Sequence, residues 1–411
     1  MAHSIKPFKI AVPDSEIDSL KSKLAVATFP KEVSFSNSWD YGAPLEDVKR
    51  LANYWRDGFD WRAQEAKLNE LPQFTTTISV DGFEDLEVHF VHQKSKRAES
   101  IPLLFSHGWP GSFLECIKIL PLLTDGDSDG PSFHLVVPSL PNFGFSQGSS
   151  KTGFGLPQYA EVLHKLMLQL GYEQYVTQGG DWGHPITRLV GAKYPSHCLA
   201  SHLNFVRANA PTFTKHPILY FQSLLTPYTE KEKAGLARTK WFKNEGYGYN
   251  LEQSTKPSTI GFALNDSPVA LLAWIYEKLH DWTDNYPWTD DEILTWISVY
   301  QFSTAGPAAS ARIYYESMHA RQQETRLALE YNSRVKLGLS YFPMDLTVPP
   351  RTHGRTLGPV VFEAEHEDGG HFAAYERPNV LAGDLKKMFG KGGGAYDVTK
   401  KLCQKHQGAL V

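Results

Sequence analysis

Apolar residues along the chain change their spacing in a way that marks out regions. In the first hundred residues the spacing is helical and then alternates. Ile17, Leu20 and Leu24 share one face of a segment that Asp14 can cap, and Pro44 stands at the entrance of LEDVKRLANYW. Phe74 to Val80 alternates like a strand, Asp81-Gly82 has turn chemistry, and Leu86 to Val91 is a second strand, so a hairpin closes this region. From Ile101 short apolar strands alternate with helical stretches: IPLLFSH, FLECIKILPLL, FHLVVP, Tyr159 to Leu170 with its stop at Gly171, YVTQGGDWG and HPITRLVGAKYP. Strands separated by helices predict right-handed crossovers and a mostly parallel sheet. Between about Phe205 and Thr325 the strands vanish, and the text is helical, rich in Trp and Tyr, and broken by Pro and Gly. Strand text returns in GPVVFEA (Gly358 to Ala364), and a last helix runs from Pro378 to Phe389. The tail beginning GKGGG reads as mobile.

The pattern predicts an α/β class with an inserted helical cap. Its expected parts are an N-terminal helical extension with the first hairpin (1–95), a first half of the core (96–205), the cap (206–325), and a second half with the C-terminal tail (326–411).

Composition narrows the class. With 41% hydrophobic and 21% charged residues among 411, the chain has material for a sizeable core. A net charge of -4, from 41 basic and 45 acidic residues, leaves no footprint for nucleic acid. Cys116, Cys198 and Cys403 are far apart and form no CxxC pair, which argues against a disulfide framework and for a cytoplasmic, reducing setting. The N-terminal text has no apolar run of signal or anchor length, so no membrane anchor is expected.

Two segments have the form Gly-x-nucleophile-x-Gly, which suits a strained strand-to-helix turn. In Gly144-Phe145-Ser146-Gln147-Gly148 the context is wrong: prolines precede it and GSSKTGFG follows, so Ser146 reads as a loop residue. In Gly179-Gly180-Asp181-Trp182-Gly183 a strand precedes and a helix follows. Helix capping alone would explain Asp181, but it does not explain the surrounding glycines. A carboxylate nucleophile displaces at sp³ carbon and leaves an alkyl ester, which then needs a base and an oxyanion hole. His371, in Asp368-Gly369-Gly370-His371-Phe372, follows the last strand and is the expected base; His366 is its nearest decoy. Asp345 is favoured as the carboxylate that orients it, with Glu363 as runner-up. The backbone N–H groups of Trp109, in His107-Gly108-Trp109-Pro110-Gly111, and of Trp182 are assigned to the oxyanion hole. Glu363, Glu365, Glu367 and Asp368 have no metal-ligand spacing, so neither a metal nor an organic cofactor is expected.

HGWPG, GGDWG, DGGHF and the run Gln253 to Gly261 (QSTKPSTIG) resemble motifs of the α/β-hydrolase-fold epoxide hydrolases, specifically the microsomal-type branch with soluble fungal-like members. The resemblance covers nearly the whole chain except the last twenty or so residues. It implies an epoxide substrate, water as co-substrate, a vicinal diol product, a detoxifying role and a homodimer. It also implies two cap tyrosines that donate to the epoxide oxygen. Tyr249 matches the first, with Tyr247 as near rival, and Tyr315 matches the second, with neighbouring Tyr314 as its alternative. The closest rival activity is that of a haloalkane dehalogenase using the same Asp-His-Asp set. An ester hydrolase using Ser146 and a catalytically silent binding protein are the remaining readings.

Overall fold

The computed structural model describes residues 4–97, 99–125, 130–320 and 326–407. Its centre is a nine-stranded sheet: β1 (Lys6–Pro7), β2 (Gln73–Ile78), β3 (Leu86–Gln93), β4 (Ile101–Ser106), β5 (Phe133–Pro138), β6 (Tyr175–Gly179), β7 (Cys198–Leu203), β8 (Lys336–Tyr341) and β9 (Val360–Glu365). The spatial order is β1-β2-β3-β5-β4-β6-β7-β8-β9. The β1–β2, β2–β3 and β3–β5 pairings are antiparallel, and every later pairing is parallel. All residues of β4 and β6 are buried, as expected for strands with helices on both faces. This is the mostly parallel α/β sheet that the alternating text predicts.

The helical insertion lies between β7 and β8, with helices from Pro217–Leu225 to Arg312–His319. Local chemistry starts several of them. Thr229 and Glu232, like Thr289 and Glu292, form reciprocal capping boxes, and Ser267 accepts from the Ala270 amide. A single π-turn, Phe242–Gly246, separates Glu230–Trp241 from Gly248–Thr255 and resets which residues face inward. The N-terminal helices Asp14–Ala25 and Leu45–Asp57 pack on the insertion's Pro268–Asp281 helix, so the extension braces the insertion from outside. The expected boundary at residue 325 lies outside the described residues. Among the described residues no helix is long and apolar enough to cross a membrane.

Two expectations need correction. FLECIKILPLL is not one helix; it splits into a 3-10 turn, Phe113–Cys116, and a short helix, Leu120–Thr124. Pro121 sits in the first turn of the second piece, where its missing N–H costs nothing. The segment after Phe389 is not a loose tail either. Following GKGGG the chain forms a helix, Tyr396–Gln407, which buries Val398 and Leu402 against β4 and the Pro378–Phe389 helix.

Candidate active site

β4 and β6 are direct neighbours, with Ser106 opposite Gly179. The loops leaving their C-terminal ends therefore start side by side, where open parallel sheets form their sites. After β6 the chain turns through Asp181 into the helix Gly183–Lys193, and Asp181 has φ = +46°. A non-glycine residue holds that conformation only when its surroundings enforce it. Here they do. A Cβ on Gly179 would meet the Gly183 carbonyl, one on Gly183 would meet the Ser106 carbonyl, and one on Gly108 would meet the Asp181 carboxylate. Gly179 and Gly183 are required by backbone approaching backbone, and Gly108 by the approach of the Asp181 side chain.

The Asp181 carboxylate is 15% exposed. Its Oδ1 accepts from the Trp109 N–H at 2.8 Å, and its Oδ2 lies 3.4 Å from His371 Nε2. The bond between Trp109 and Pro110 is cis. Trp182 opens the following helix, whose free N–H groups favour negative charge. The indole N–H of Trp182 is buried beside the Tyr314 hydroxyl.

His371 Nδ1 lies 2.7 Å from Asp345 Oδ1, which also accepts from the Leu346 amide at 2.7 Å. Both side chains are buried. Burial opposes the imidazolium, but the carboxylates of Asp345 and Asp181 outweigh it and raise the histidine to about 10. The loop carrying His371 is fixed at three successive amides. Gly369 N donates to Asp284 Oδ2 at 2.9 Å, Gly370 N to Glu376 Oε1 at 2.8 Å, and His371 N to the Trp282 carbonyl at 2.7 Å. Trp282 and Asp284 belong to the insertion, so both halves of the molecule hold this loop.

The decoys are occupied elsewhere. Glu363 is held by Arg355 at 2.6 Å, and His366 pairs with Asp384 at 2.6 Å. Ser146 is fully buried, its hydroxyl donating to the Ser139 carbonyl at 2.7 Å and accepting from the His89 amide at 2.9 Å. Among the described residues no cluster of three or more His, Cys, Asp or Glu could hold a metal.

Over Asp181 sits a wall of aromatic rings. Tyr249 stacks on Trp109 with centroids 5.0 Å apart, and Tyr314 meets Trp182 edge-on at 4.8 Å and Tyr249 at 5.8 Å. The Tyr314 hydroxyl is buried beside the Tyr249 hydroxyl and the Trp182 indole N–H. Burial, reinforced by the Asp181 carboxylate, holds both phenols well above the usual tyrosine range, so both stay protonated donors. Tyr315 is placed differently from Tyr314. It is 36% exposed, stacks on His319, and lines a surface crevice with Lys256 and Arg312. Successive residues on a helix point about 100° apart, so Arg312–His319 can turn only one of the pair towards Asp181. Tyr247 packs on Phe242 and is not part of the wall over Asp181 that Tyr249 builds.

Sequence reasoning missed Trp282, Asp284 and Glu376, which hold the histidine loop, and Glu115, whose carboxyl lies behind the Gly108–Gly111 loop. An acidic residue inside the mostly apolar FLECIKIL was the available signal for Glu115.

Comparison with known proteins finds relatives over most of the chain. Residues 5–116 match the family model described as epoxide hydrolase N terminus, and residues 101–212 match that of the alpha/beta hydrolase fold. A putative epoxide hydrolase of Stigmatella aurantiaca is 38% identical over 94% of this chain and 84% of its own. Epoxide hydrolase 1 of Sus scrofa is 36% identical over 94% and 89%. Among solved structures, the Aspergillus niger epoxide hydrolase superposes with a TM-score of 0.81 at 38% identity, covering 93% of this chain and 95% of that one. The juvenile hormone epoxide hydrolase of Bombyx mori gives 0.85 at 30% identity, covering 97% and 96%.

Proposed function

The chain belongs to the epoxide hydrolases of the α/β-hydrolase fold, and from that premise we propose that it opens its epoxide through an alkyl ester on Asp181. Oδ2 of Asp181 attacks a ring carbon, and the C–O bond of the epoxide breaks. Tyr249 and Tyr314 donate to the departing oxygen, which would otherwise leave as a strongly basic alkoxide. Dry, protonated phenols facing the carboxylate suit that task, and this reading replaces Tyr315 with Tyr314.

The asymmetry of the carboxylate supports the second half. Oδ1 already accepts the Trp109 N–H, so it keeps its double bond in the ester and becomes the oxyanion when water attacks. The helix N-terminus at Trp182 favours the same charge.

The base is switched on by the first step. In the free enzyme two carboxylates hold the proton on His371. Esterification removes the charge of Asp181, leaving Asp345 alone to oppose burial, so the histidine loses its proton more readily and can take one from water. Asp345 remains to stabilise the imidazolium that forms. The proton that His371 gives up restores the tyrosines; water then adds to the ester carbonyl as His371 takes a proton from it, Oδ2 takes that proton and leaves with the diol, and the new Asp181 carboxyl returns a proton to His371.

The observation that carries this reading is the pair of contacts on Asp181, with an amide on one oxygen and the histidine on the other. A single turnover with excess enzyme in ¹⁸O-water tests it. The label is expected in the peptide containing Asp181 and absent from the first diol formed. Label in that diol, with none in the enzyme, would mean that water attacks the epoxide directly.

A further inference from the structure

Glu115 is a carboxyl group that these steps leave unused. It sits on the Phe113–Cys116 turn, where Ser112 accepts from the Leu114 amide and folds the turn back beneath HGWPG. A Cβ on Gly111 would land on the Glu115 carboxyl, which therefore fills the notch that this glycine leaves. The Gly108 carbonyl borders the same notch. The other side of Gly108 lies against the Asp181 carboxylate, and the next amide, that of Trp109, donates to Asp181 Oδ1. Glu115 thus touches the loop from behind while Asp181 touches it from the front. Trp296 Nε1 and the Tyr300 hydroxyl fix the same loop, donating to the carbonyls of Pro110 and Gly111 at 2.6 Å each.

The titratable groups facing Glu115 are Asp181 and His371 across the loop, Tyr300 on the Asp290–Gln301 helix, and the neighbouring Cys116 thiol. Only His371 among them carries positive charge. Burial is the larger influence, His371 opposes it and Asp181 reinforces it, so the acid is raised to about 8.

Resting on the ester mechanism above, we propose that Glu115 is a positioning residue: from the Gly111 notch it holds the Gly108–Gly111 loop so that the Trp109 N–H meets the oxyanion on Asp181, and negative charge on it slows the hydrolytic half of the reaction. The two halves should respond differently. Ester formation removes negative charge from Asp181, so an added carboxylate nearby does not hinder it. Ester hydrolysis builds negative charge on Oδ1, beside the same loop, so an added carboxylate opposes it.

Single-turnover mixing with styrene oxide between pH 6.5 and 9.5 separates these steps, with ester followed by quench and intact mass. In the wild type, ester decay is expected to fall about tenfold between pH 7 and 9 as the group titrates, while ester formation does not fall. This slope is opposite to that of a histidine base losing its proton. E115Q keeps the shape but cannot ionise; it should slow decay about threefold at pH 7, for an altered hydrogen bond, and lose the alkaline fall. E115D still titrates but withdraws from the Gly111 notch, and should slow decay about tenfold at every pH with formation within about threefold. An E115Q enzyme with the wild-type alkaline fall, or one slowed equally in both steps, would overturn the role of Glu115. A wild type that forms no ester would overturn the ester mechanism and this role with it.

Discussion

The sheet side and the insertion side of the site hold their groups by different means. Asp181, His371 and Asp345 are titratable groups on loops at strand ends, and each is fixed by hydrogen bonds at atoms that take part in the chemistry. Tyr249 and Tyr314 are neutral rings on helices, fixed by packing against Trp109, Trp182 and Trp282. Charge has to be placed to within a few tenths of an ångström to act on a developing oxyanion, and only a pinned loop does that. A proton donor to a leaving oxygen needs only to be dry and aimed. Aromatic packing supplies both, and it also permits the wall to be reshaped for another epoxide without disturbing the nucleophile. Trp282 joins the two sides: its ring meets that of His371 at 5.1 Å, and its carbonyl accepts the His371 amide.

The largest effect expected from breaking the sheet side is that of Asp181→Ala. Diol formation should fall by roughly 10⁵-fold or more in a steady-state assay, since no other group can form the ester. Next comes Asp345→Asn, which should lower diol formation by about 10³-fold through the loss of His371's orientation and charge partner. The same variant tests the charge argument. A histidine raised from 6.5 to about 10 adds stability that is full below the lower value and is lost as pH climbs through the upper one. Wild-type denaturant midpoints should therefore decline over that window, and Asp345→Asn should flatten the decline.

On the insertion side, Tyr314→Phe should slow ester formation by about 10²-fold, whereas Tyr315→Phe should stay within about twofold. Stopped-flow measurement of the alkylation step separates the two, and equal losses would undo the assignment by helix face. The smallest effect concerns the junction. Glu376→Gln keeps an acceptor for Gly370 but weakens it, and should cost about 1 kcal/mol of stability by chemical denaturation with activity changed by less than about threefold.

The same contrast explains what the sequence reveals. GGDWG and HGWPG are legible because close approach excludes a Cβ, from backbone at Gly179 and Gly183 and from the Asp181 side chain at Gly108, and so leaves a local record. The parallel sheet is legible because strands buried on both faces read as unbroken apolar runs. The insertion leaves no such record. Nothing local distinguishes Tyr314 from Tyr315, since the choice depends on how Arg312–His319 is rotated by its neighbours. Asp284 and Glu376 read as ordinary surface acids because the Gly369 amide that Asp284 accepts, and the Asp284 amide that Glu376 accepts, lie far off in sequence. The terminal helix hid behind GKGGG, although Val398 and Leu402, four apart, carried its periodicity.

The most direct test of the central claim is the intact mass of His371→Gln after exposure to a small aryl epoxide. With the base removed, ester hydrolysis should lag behind ester formation, so the intermediate should accumulate. The account predicts an added mass equal to the whole epoxide, located on the peptide that contains Asp181. An unmodified variant, under conditions where the wild type turns the same epoxide over, or an adduct on any other residue, would contradict it.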